Sequence, residues 1–209
     1  MSATFVLVKD YPDHYDYCGS AFFVSTDGHF FTAAHIFEKE PRCNYFAAPN
    51  PANLDLIVSV KVIAMSYSED VALCKVDSRP DNYYVLASDL PRQGSKAYAF
   101  GYAKAARVGV TGRVDKIECE YLGDVRPFEI AAQPPFSAKV FPAVVTFPVL
   151  PEGFSGGPIL DYAGHVIGLH SNNCHDADFL GAVGKEEPVA VSVGLDILRG
   201  AYSRFVAKP

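Results

Sequence analysis

The sequence has few of the features that mark membrane-bound, exported or nucleic-acid-binding chains. Among its 209 residues no run approaches the ~18 consecutive apolar residues that a membrane-spanning helix needs. The first apolar run, residues 5–8, ends at Lys9-Asp10 and is too short for the core of a secretory signal. No Lys/Arg-rich run is present, and 18 basic against 24 acidic residues leave a net charge of -6. We therefore expect a cytoplasmic protein that binds neither membrane nor nucleic acid.

Cysteine is also scarce and unpatterned. The five cysteines are widely spaced and contain no Cys-x-x-Cys pair: Cys18, Cys43, Cys74, Cys119 and Cys174. An odd number without an export signal favours free thiols in a reducing compartment. The rest of the composition, 49% hydrophobic and 20% charged with 12 Tyr and 15 Phe, is that of a packed globular chain and not of a disordered one.

Short strand-like segments separated by turns dominate the chain. Apolar residues 21–24 and 29–32 flank the turn cluster Ser25-Thr26-Asp27-Gly28. Residues 159–162 and 165–169 flank Ala163-Gly164 in the same way, so both stretches predict hairpins. Many short strands of this kind are typical of an all-β sandwich or barrel.

Two further segments stand apart from the strand pattern. From about Leu195 to Phe205, apolar residues recur at helical spacing and predict a C-terminal helix. The stretch from Gly123 to Pro142 contains four prolines and predicts a surface loop with little regular structure.

Three local motifs supply side chains suited to nucleophilic catalysis. They are Thr32-Ala33-Ala34-His35 at the end of a hairpin strand, Ser68-Glu69-Asp70 before an apolar strand, and the glycine-rich turn Glu152-Gly153-Phe154-Ser155-Gly156-Gly157-Pro158. A serine hydroxyl needs a base to take its proton, and histidine titrates near neutrality. A buried aspartate can hold the imidazole tautomer, and glycines let backbone N–H groups converge on a developing oxyanion. Taken singly, the three could instead be a core histidine, a turn-capping aspartate and an ordinary turn serine.

In the order His, Asp, Ser, these motifs resemble the chymotrypsin/trypsin-like serine peptidases, and the resemblance covers most of the chain. It implies an all-β fold of two antiparallel six-stranded β-barrels with a C-terminal helix. Residues 1–84 would carry His35 and Asp70, and residues 85–209 would carry Ser155. The implied roles are general base for His35, orienting acid for Asp70 and nucleophile for Ser155. The N–H groups of Gly153 and Ser155 would form the oxyanion hole of a serine endopeptidase that cleaves proteins or peptides without a cofactor.

Two positions depart from the secreted digestive members of that family. Those enzymes have a disulfide beside the catalytic histidine; Cys18 matches one partner, but Ile36 stands at the other. Phe154 stands where they carry the aspartate that pairs with a new N-terminus after zymogen cleavage. The short loops and the sequence of residues 155–160 are closer to bacterial HtrA/V8-type or viral members. Because Phe154 leaves open whether the oxyanion turn is preformed, the alternative is a dormant or non-catalytic binding module that needs a protein partner.

The resemblance also places a specificity pocket for the substrate residue that precedes the scissile bond. Its wall would come from residues 168–173, with His170, Ser171 and Asn173 as candidate substrate-binding residues. Glutamate-specific V8-like and glutamine-specific viral 3C-like peptidases have a histidine at the place of His170, so we expect a preference for Glu or Gln. A small or apolar residue is the second choice, and a merely packed barrel histidine is the alternative. The pocket base falls near Val149-Leu150, where no acid could select Arg or Lys.

A last cluster holds possible metal ligands. Cys174-His175-Asp176, with Asp178 and the nearby His170, fits no structural zinc spacing. We interpret it as a solvated polar loop and expect no metal.

Overall fold

The computed structural model describes residues 3–37, 44–49, 56–105, 109–110, 113–131 and 139–206. The strands in this part of the chain are β1 (Thr4–Asp10), β2 (Tyr15–Phe23), β3 (His29–Thr32), β4 (Asn44–Ala48), β5 (Val58–Ser59), β6 (Lys61–Ser66), β7 (Val71–Lys75), β8 (Lys96–Gly101), β9 (Lys104–Ala105), β10 (Gly109–Val110), β11 (Asp115–Ile130), β12 (Lys139–Phe147), β13 (Pro158–Leu160), β14 (Val166–Cys174) and β15 (Val189–Gly194). The helices are a 3₁₀ helix (Ala34–Ile36), α1 (Ala177–Ala182) and α2 (Leu195–Phe205). Both predicted hairpins, β2–β3 and β13–β14, and the C-terminal helix are confirmed.

Strands β1 to β7 form one antiparallel sheet in the order β5-β4-β1-β2-β3-β7-β6. Its two edge strands, β5 and β6, are consecutive in the chain and are separated only by Val60, whose N–H donates to the Tyr45 carbonyl at 3.0 Å. One continuous run, residues 58–66, therefore pairs first with β4 and then with β7. Counted as a single bent strand, this run gives the six strands that the family resemblance implies.

The interior of this first sheet is aromatic. Hairpin β2–β3 places Phe22 opposite Phe31 and Phe23 opposite Phe30, and all four rings are fully buried. Phe5 of β1 stacks on Phe23 with 4.4 Å between ring centroids. Each buried aromatic side chain removes a large apolar area from water. Their burial therefore stabilises this hairpin and β1, from which the residues after β3 extend.

Six later strands close into a barrel in the order β11-β12-β15-β14-β13-β8. Helix α2 follows β15 directly and contacts β7 of the first sheet as well as β12, β14 and β15 of the barrel. This arrangement of two sheets and a terminal helix is a chymotrypsin-like fold, so the predicted fold class is confirmed. The chain changes sheets after Tyr84, whose N–H donates to Phe23, and before Ala87, whose N–H donates to Val166. A domain boundary after residue 84 stays a prediction.

The expected irregular loop from Gly123 to Pro142 is wrong for most of its length. Strand β11 continues to Ile130, and β12 begins at Lys139 and pairs with it. Both Pro127 and Pro142 lie where the register shifts between Val125 and Phe128, so neither has to donate a ladder hydrogen bond. Residues 132–138, with the other two prolines, lie outside the described residues.

Neither α-helix in the described ranges has the length and apolar content needed to cross a bilayer.

Candidate active site

His35 is presented by the 3₁₀ helix that follows β3. Every residue of β3 is buried, and the chain leaves the sheet through Ala33 in an extended conformation. Ala34 and Ile36 are buried on either side of the histidine, whereas the His35 side chain is 21% exposed. The packing of its two neighbours thus fixes the short helix and leaves the imidazole at the edge of a cleft.

Asp70 lies in the turn before β7 and is bonded to His35 twice over. Its φ of 54° is in the left-handed region that non-glycine residues seldom adopt, and its side chain is 1% exposed. Nδ1 of His35 lies 2.8 Å from Oδ2 and 3.0 Å from Oδ1, and the His35 backbone N–H donates to Oδ1 at 2.9 Å. One carboxylate therefore fixes both the ring and the backbone of the histidine.

Two side chains of the barrel complete the surroundings of Asp70. Lys139 of β12 donates from Nζ to Oδ2 at 2.7 Å, and the Ser171 hydroxyl of β14 donates to the same oxygen. The Val140 N–H, next to Lys139, donates to the Ser68 carbonyl at 2.7 Å and ties the start of β12 to the Asp70 turn. Hydrogen bonds from the barrel thus hold the Asp70 turn, which belongs to the first sheet.

The charge state of Asp70 follows from these contacts. Burial acts to raise the pKa of Asp70, but the hydrogen bond and charge of His35, followed by those of Lys139, lower it to about 2. The carboxylate is ionised at neutral pH and can only accept hydrogen bonds. His35 must therefore donate from Nδ1, which leaves its Nε2 free of a proton in the neutral ring.

Ser155 sits in a turn whose shape requires glycine. Gly153 and Gly156 have φ of 96° and 83°. A Cβ on Gly153 would lie 2.3 Å from the Tyr102 carbonyl oxygen, and one on Gly156 would lie 2.2 Å from that of Ser20. No side chain fits at either position, so the backbone alone can approach the neighbouring strands this closely.

Backbone hydrogen bonds and one buried ring hold the turn in place. The Ser20 N–H donates to the Ser155 carbonyl at 2.8 Å, and the Gly156 N–H donates to the His170 carbonyl at 2.8 Å. Phe154, beside the serine, is fully buried against Gly101, where a Cβ would lie 2.7 Å from its ring. Among the described residues the N–H groups of Gly153 and Ser155 donate to no acceptor. The turn therefore has two free donors next to the serine.

A cleft of about 280 Å³ brings His35, Gly153 and Ser155 onto one surface, with Asp70 buried behind His35. The structure thus gathers the residues that three separate motifs predicted.

The three predicted pocket residues have different surroundings. Burial, followed by the charge of His35, lowers the pKa of His170 to about 3, so its ring is neutral; its buried Nδ1 has no hydrogen-bond partner within the described ranges. The hydroxyl of Ser171 is committed to Asp70. Asn173 accepts from the Leu150 N–H at 3.1 Å and donates to the Leu150 carbonyl at 2.8 Å. The Asn173 amide therefore links β14 to the segment expected at the pocket base.

The cysteines and the polar residues 174–178 are the remaining sulfur and metal candidates of the sequence. Cys74, Cys119 and Cys174 are free thiols, the Cys18 thiol donates to the Leu7 carbonyl at 3.3 Å, and Cys43 lies outside the described residues. The Asp176 carboxylate caps α1 by accepting from the Phe179 N–H at 2.8 Å. In the part of the chain that the structure describes, no three His, Cys, Asp or Glu side chains are grouped to hold a metal ion.

A family model described as a trypsin-like peptidase domain matches residues 19–169, which is most of the chain. The chain belongs to this family. One curated relative, the uncharacterized protein y4bJ of Sinorhizobium fredii (strain NBRC 101917 / NGR234), is 28% identical over 155 residues. That match covers 72% of this chain but only 21% of the relative, so this trypsin-like peptidase domain spans about a fifth of that protein.

Solved structures of proteases share the fold. The active form of the Rv3671c protease from M. tuberculosis has a TM-score of 0.74 at 18% identity and covers 99% of this chain and 82% of its own. The MamO protease domain from Magnetospirillum magneticum has a TM-score of 0.67 at 15% identity, with 95% of both chains covered. Deg5 has a TM-score of 0.66 at 18% identity, covering 99% of this chain and 91% of its own. Family and fold together are those of a serine peptidase.

Lys139 is the site residue that sequence analysis missed. The proline content of residues 123–142 predicted a loop there, and a single lysine before an apolar run carries no signal of burial. Its partner, Asp70, is 69 residues away in the chain. The apolar, β-branched run of residues 143–146 could have indicated β12, but not the position of the ammonium group.

Proposed function

We propose that this chain is a serine endopeptidase that cleaves peptide bonds with His35, Asp70 and Ser155. The observation that carries the proposal is the ionised, buried carboxylate of Asp70 on Nδ1 of His35, in the cleft that also holds Ser155. An imidazole fixed in this tautomer presents Nε2 as a proton acceptor. Its neutral form suits it to receive the serine proton near physiological pH.

The reaction follows from these positions. Ser155 Oγ attacks the carbonyl carbon of the substrate while its proton passes to Nε2 of His35. The free N–H groups of Gly153 and Ser155 stabilise the oxyanion. His35 then gives the proton to the leaving amine, and water, deprotonated by His35, releases the acyl group from Ser155. The sequence of steps needs no cofactor.

The buried position of Phe154 favours catalysis over the alternative of a partner-dependent binding module. A ring packed in the barrel interior anchors the turn without the ion pair that zymogen cleavage creates. The turn is also bonded on both sides, to Ser20 and to β14. A preformed turn supports activity of the isolated chain, with no activating partner.

Labelling with a fluorophosphonate, followed by intact-mass measurement, tests this proposal. The phosphorus–oxygen bond to Ser155 forms only if the serine is activated and the oxyanion site is assembled. We expect a single adduct on the wild type and none on Ser155→Ala. Ser203→Ala, which removes an exposed serine on α2, is the matched control and should label like the wild type. A folded wild type without an adduct would favour the dormant or non-catalytic module.

We further propose that His170 selects glutamine or glutamate in the substrate residue before the scissile bond. Its ring is neutral, and its backbone is bonded to the serine turn on both sides, accepting from the Gly156 N–H at 2.8 Å and donating to the Gly157 carbonyl at 2.9 Å. These bonds favour a position of His170 beside the substrate residue that precedes the scissile bond. The bonds between Asn173 and Leu150 favour the second candidate, a small or apolar residue, because they tie the expected wall of the pocket to its expected base. A peptide library varied at that one residue separates the two.

The cellular setting is also a proposal. The free thiols of Cys74, Cys119 and Cys174 support a location in the cytoplasm. The substrate is a protein or peptide, as the family implies.

A further inference from the structure

We infer that Lys139 is a positioning residue of this site, with two effects. Its ammonium group holds Asp70 against His35. It also adds a positive charge 3.4 Å from Nδ1 of the imidazole that accepts the serine proton. The inference rests on the proposed serine-peptidase function.

The position of Lys139 is unusual for its residue type. Lysine is almost never buried unless it is paired, yet Lys139 is 8% exposed. Asp70 and Lys139 are the only Asp, Glu, Lys or Arg side chains among the buried residues of the described ranges. Nζ of Lys139 lies 2.7 Å from Asp70 Oδ2 and 3.4 Å from the Ser171 hydroxyl oxygen. A buried ammonium at this spot has one counter-charge, and that counter-charge is the acid bonded to His35.

The Lys139 ammonium group also lies close to the His35 imidazole, which becomes positively charged when it accepts the serine proton. Nζ of Lys139 is 3.4 Å from Nδ1 of His35. Without Lys139, protonation of His35 would convert an isolated buried carboxylate into a neutral ion pair. With Lys139, the carboxylate is already paired, and protonation of His35 leaves a net positive charge, with Lys139 on the buried side of the ring. Like charges this close oppose each other strongly where water is excluded.

The other charged and titratable groups around His35 do not cancel this effect. His170 of β14 is neutral because burial, followed by the charge of His35, lowers its pKa to about 3. The cleft that His35 lines also contains two charged residues of each sign, Lys9 and Lys104, Asp16 and Glu152, besides the titratable side chains of Tyr17, Cys18 and Tyr102. Nζ of Lys104 lies 3.7 Å from an Asp16 oxygen, and both side chains are partly solvated, so screening weakens their field at His35. Lys139 therefore carries the positive charge that acts on His35 from the protein interior.

The pH dependence of fluorophosphonate labelling at Ser155 tests the inference. In that reaction the P–O bond forms, fluoride leaves with the electrons of the P–F bond, and the serine proton passes to Nε2 of His35. The labelling rate therefore falls in acid as His35 becomes protonated. Lys139→Met removes the charge, Lys139→Arg keeps it, and Lys96→Met removes an exposed lysine charge on β8. Thermal unfolding of each variant checks that it is folded, and Lys139→Gln serves as a second neutral variant.

We expect the acid limb of the labelling rate to move to higher pH by about one unit or more in Lys139→Met. It should stay in place in Lys139→Arg and Lys96→Met. A uniform loss of rate at every pH, with the limb unmoved, would show that Lys139 only supports the structure and would overturn the inference. So would failure of both neutral variants to fold. The absence of an adduct on the wild type would instead overturn the proposed function itself, and the inference with it.

Discussion

The two ends of the site are held by different physical means. At the Asp70 end, side chains from three elements meet on one carboxylate, and two of them, His35 and Lys139, carry or acquire charge. At the Ser155 end, backbone hydrogen bonds and close packing around glycines fix the turn, and no charged side chain from the described ranges takes part. Changes at the first end should therefore act through electrostatics, and changes at the second end should act through steric clashes.

Asp70→Asn should have the largest effect, because it removes the charge on which the first end depends. Asparagine matches the shape of aspartate and tolerates the left-handed φ of 54°. It cannot compensate the buried Lys139 ammonium or the imidazolium of the reaction. We expect turnover to fall by about 10⁴-fold and stability to fall by about 3–5 kcal/mol. Peptide hydrolysis and urea unfolding measure the two; turnover within tenfold of wild type would contradict a role for the Asp70 charge.

Gly153→Ala tests the steric end of the comparison. The new Cβ would lie 2.3 Å from the Tyr102 carbonyl oxygen and would displace the N–H group that we propose as an oxyanion donor. Loss of one such donor costs about 10²–10³-fold in rate, and we expect a loss of that size in fluorophosphonate labelling.

Gly164→Ala is the matched control for that change. Gly164, in the β13–β14 turn, has a similar φ of 87° but has open space where the Cβ would be. It introduces the same backbone strain without the collision, so labelling should stay close to that of wild type. Equal losses in the two variants would mean that strain, and not displacement of the donor, explains the effect.

His170→Phe tests the residue that lies between the two ends. The backbone of His170 is bonded to the serine turn, and its neutral ring is close enough to His35, Asp70 and Lys139 to be affected by their charges. Phenylalanine removes a buried nitrogen that has no partner within the described residues, and such a group costs about 1–3 kcal/mol. We expect stability to be unchanged or higher, together with loss of the preference for Gln or Glu. Thermal unfolding and the peptide library report these effects. An unaltered preference would assign His170 to packing alone.

The smallest expected effect is the pH dependence of stability that comes from Asp70. The pKa of Asp70, about 2, lies below its ordinary value of 3.8 because of His35 and Lys139, which outweigh the opposing effect of burial. As pH falls, the unfolded chain takes up this proton first, so the stabilising contribution is complete above about pH 4 and is lost towards pH 2. Urea unfolding at a series of pH values should show this loss in wild type. Asp70→Asn should lack that part of it, while the other carboxylates titrate alike in both proteins.

Local patterns in the sequence were enough for the elements that flank the site. Short apolar runs on either side of a turn predicted hairpins β2–β3 and β13–β14, and helical spacing predicted α2. These features depend on residues close together in the chain, where periodicity and turn chemistry act directly. The same patterns failed for β11 beyond Gly123 and for the start of β12, because a register shift accommodates prolines that normally end a strand.

The sequence by itself determined which side chains were available for chemistry: one histidine after a buried strand, one aspartate before another, and one serine in a turn that only glycine can form. The tertiary structure decided how they are held. Asp70 meets Lys139 across 69 residues and Ser171 across 101, and Asn173 reaches back to Leu150. The charge state of Asp70 and the burial of Lys139 exist only once the barrel closes against the first sheet, because burial and neighbouring charge are properties of the packed molecule and not of any segment of its chain.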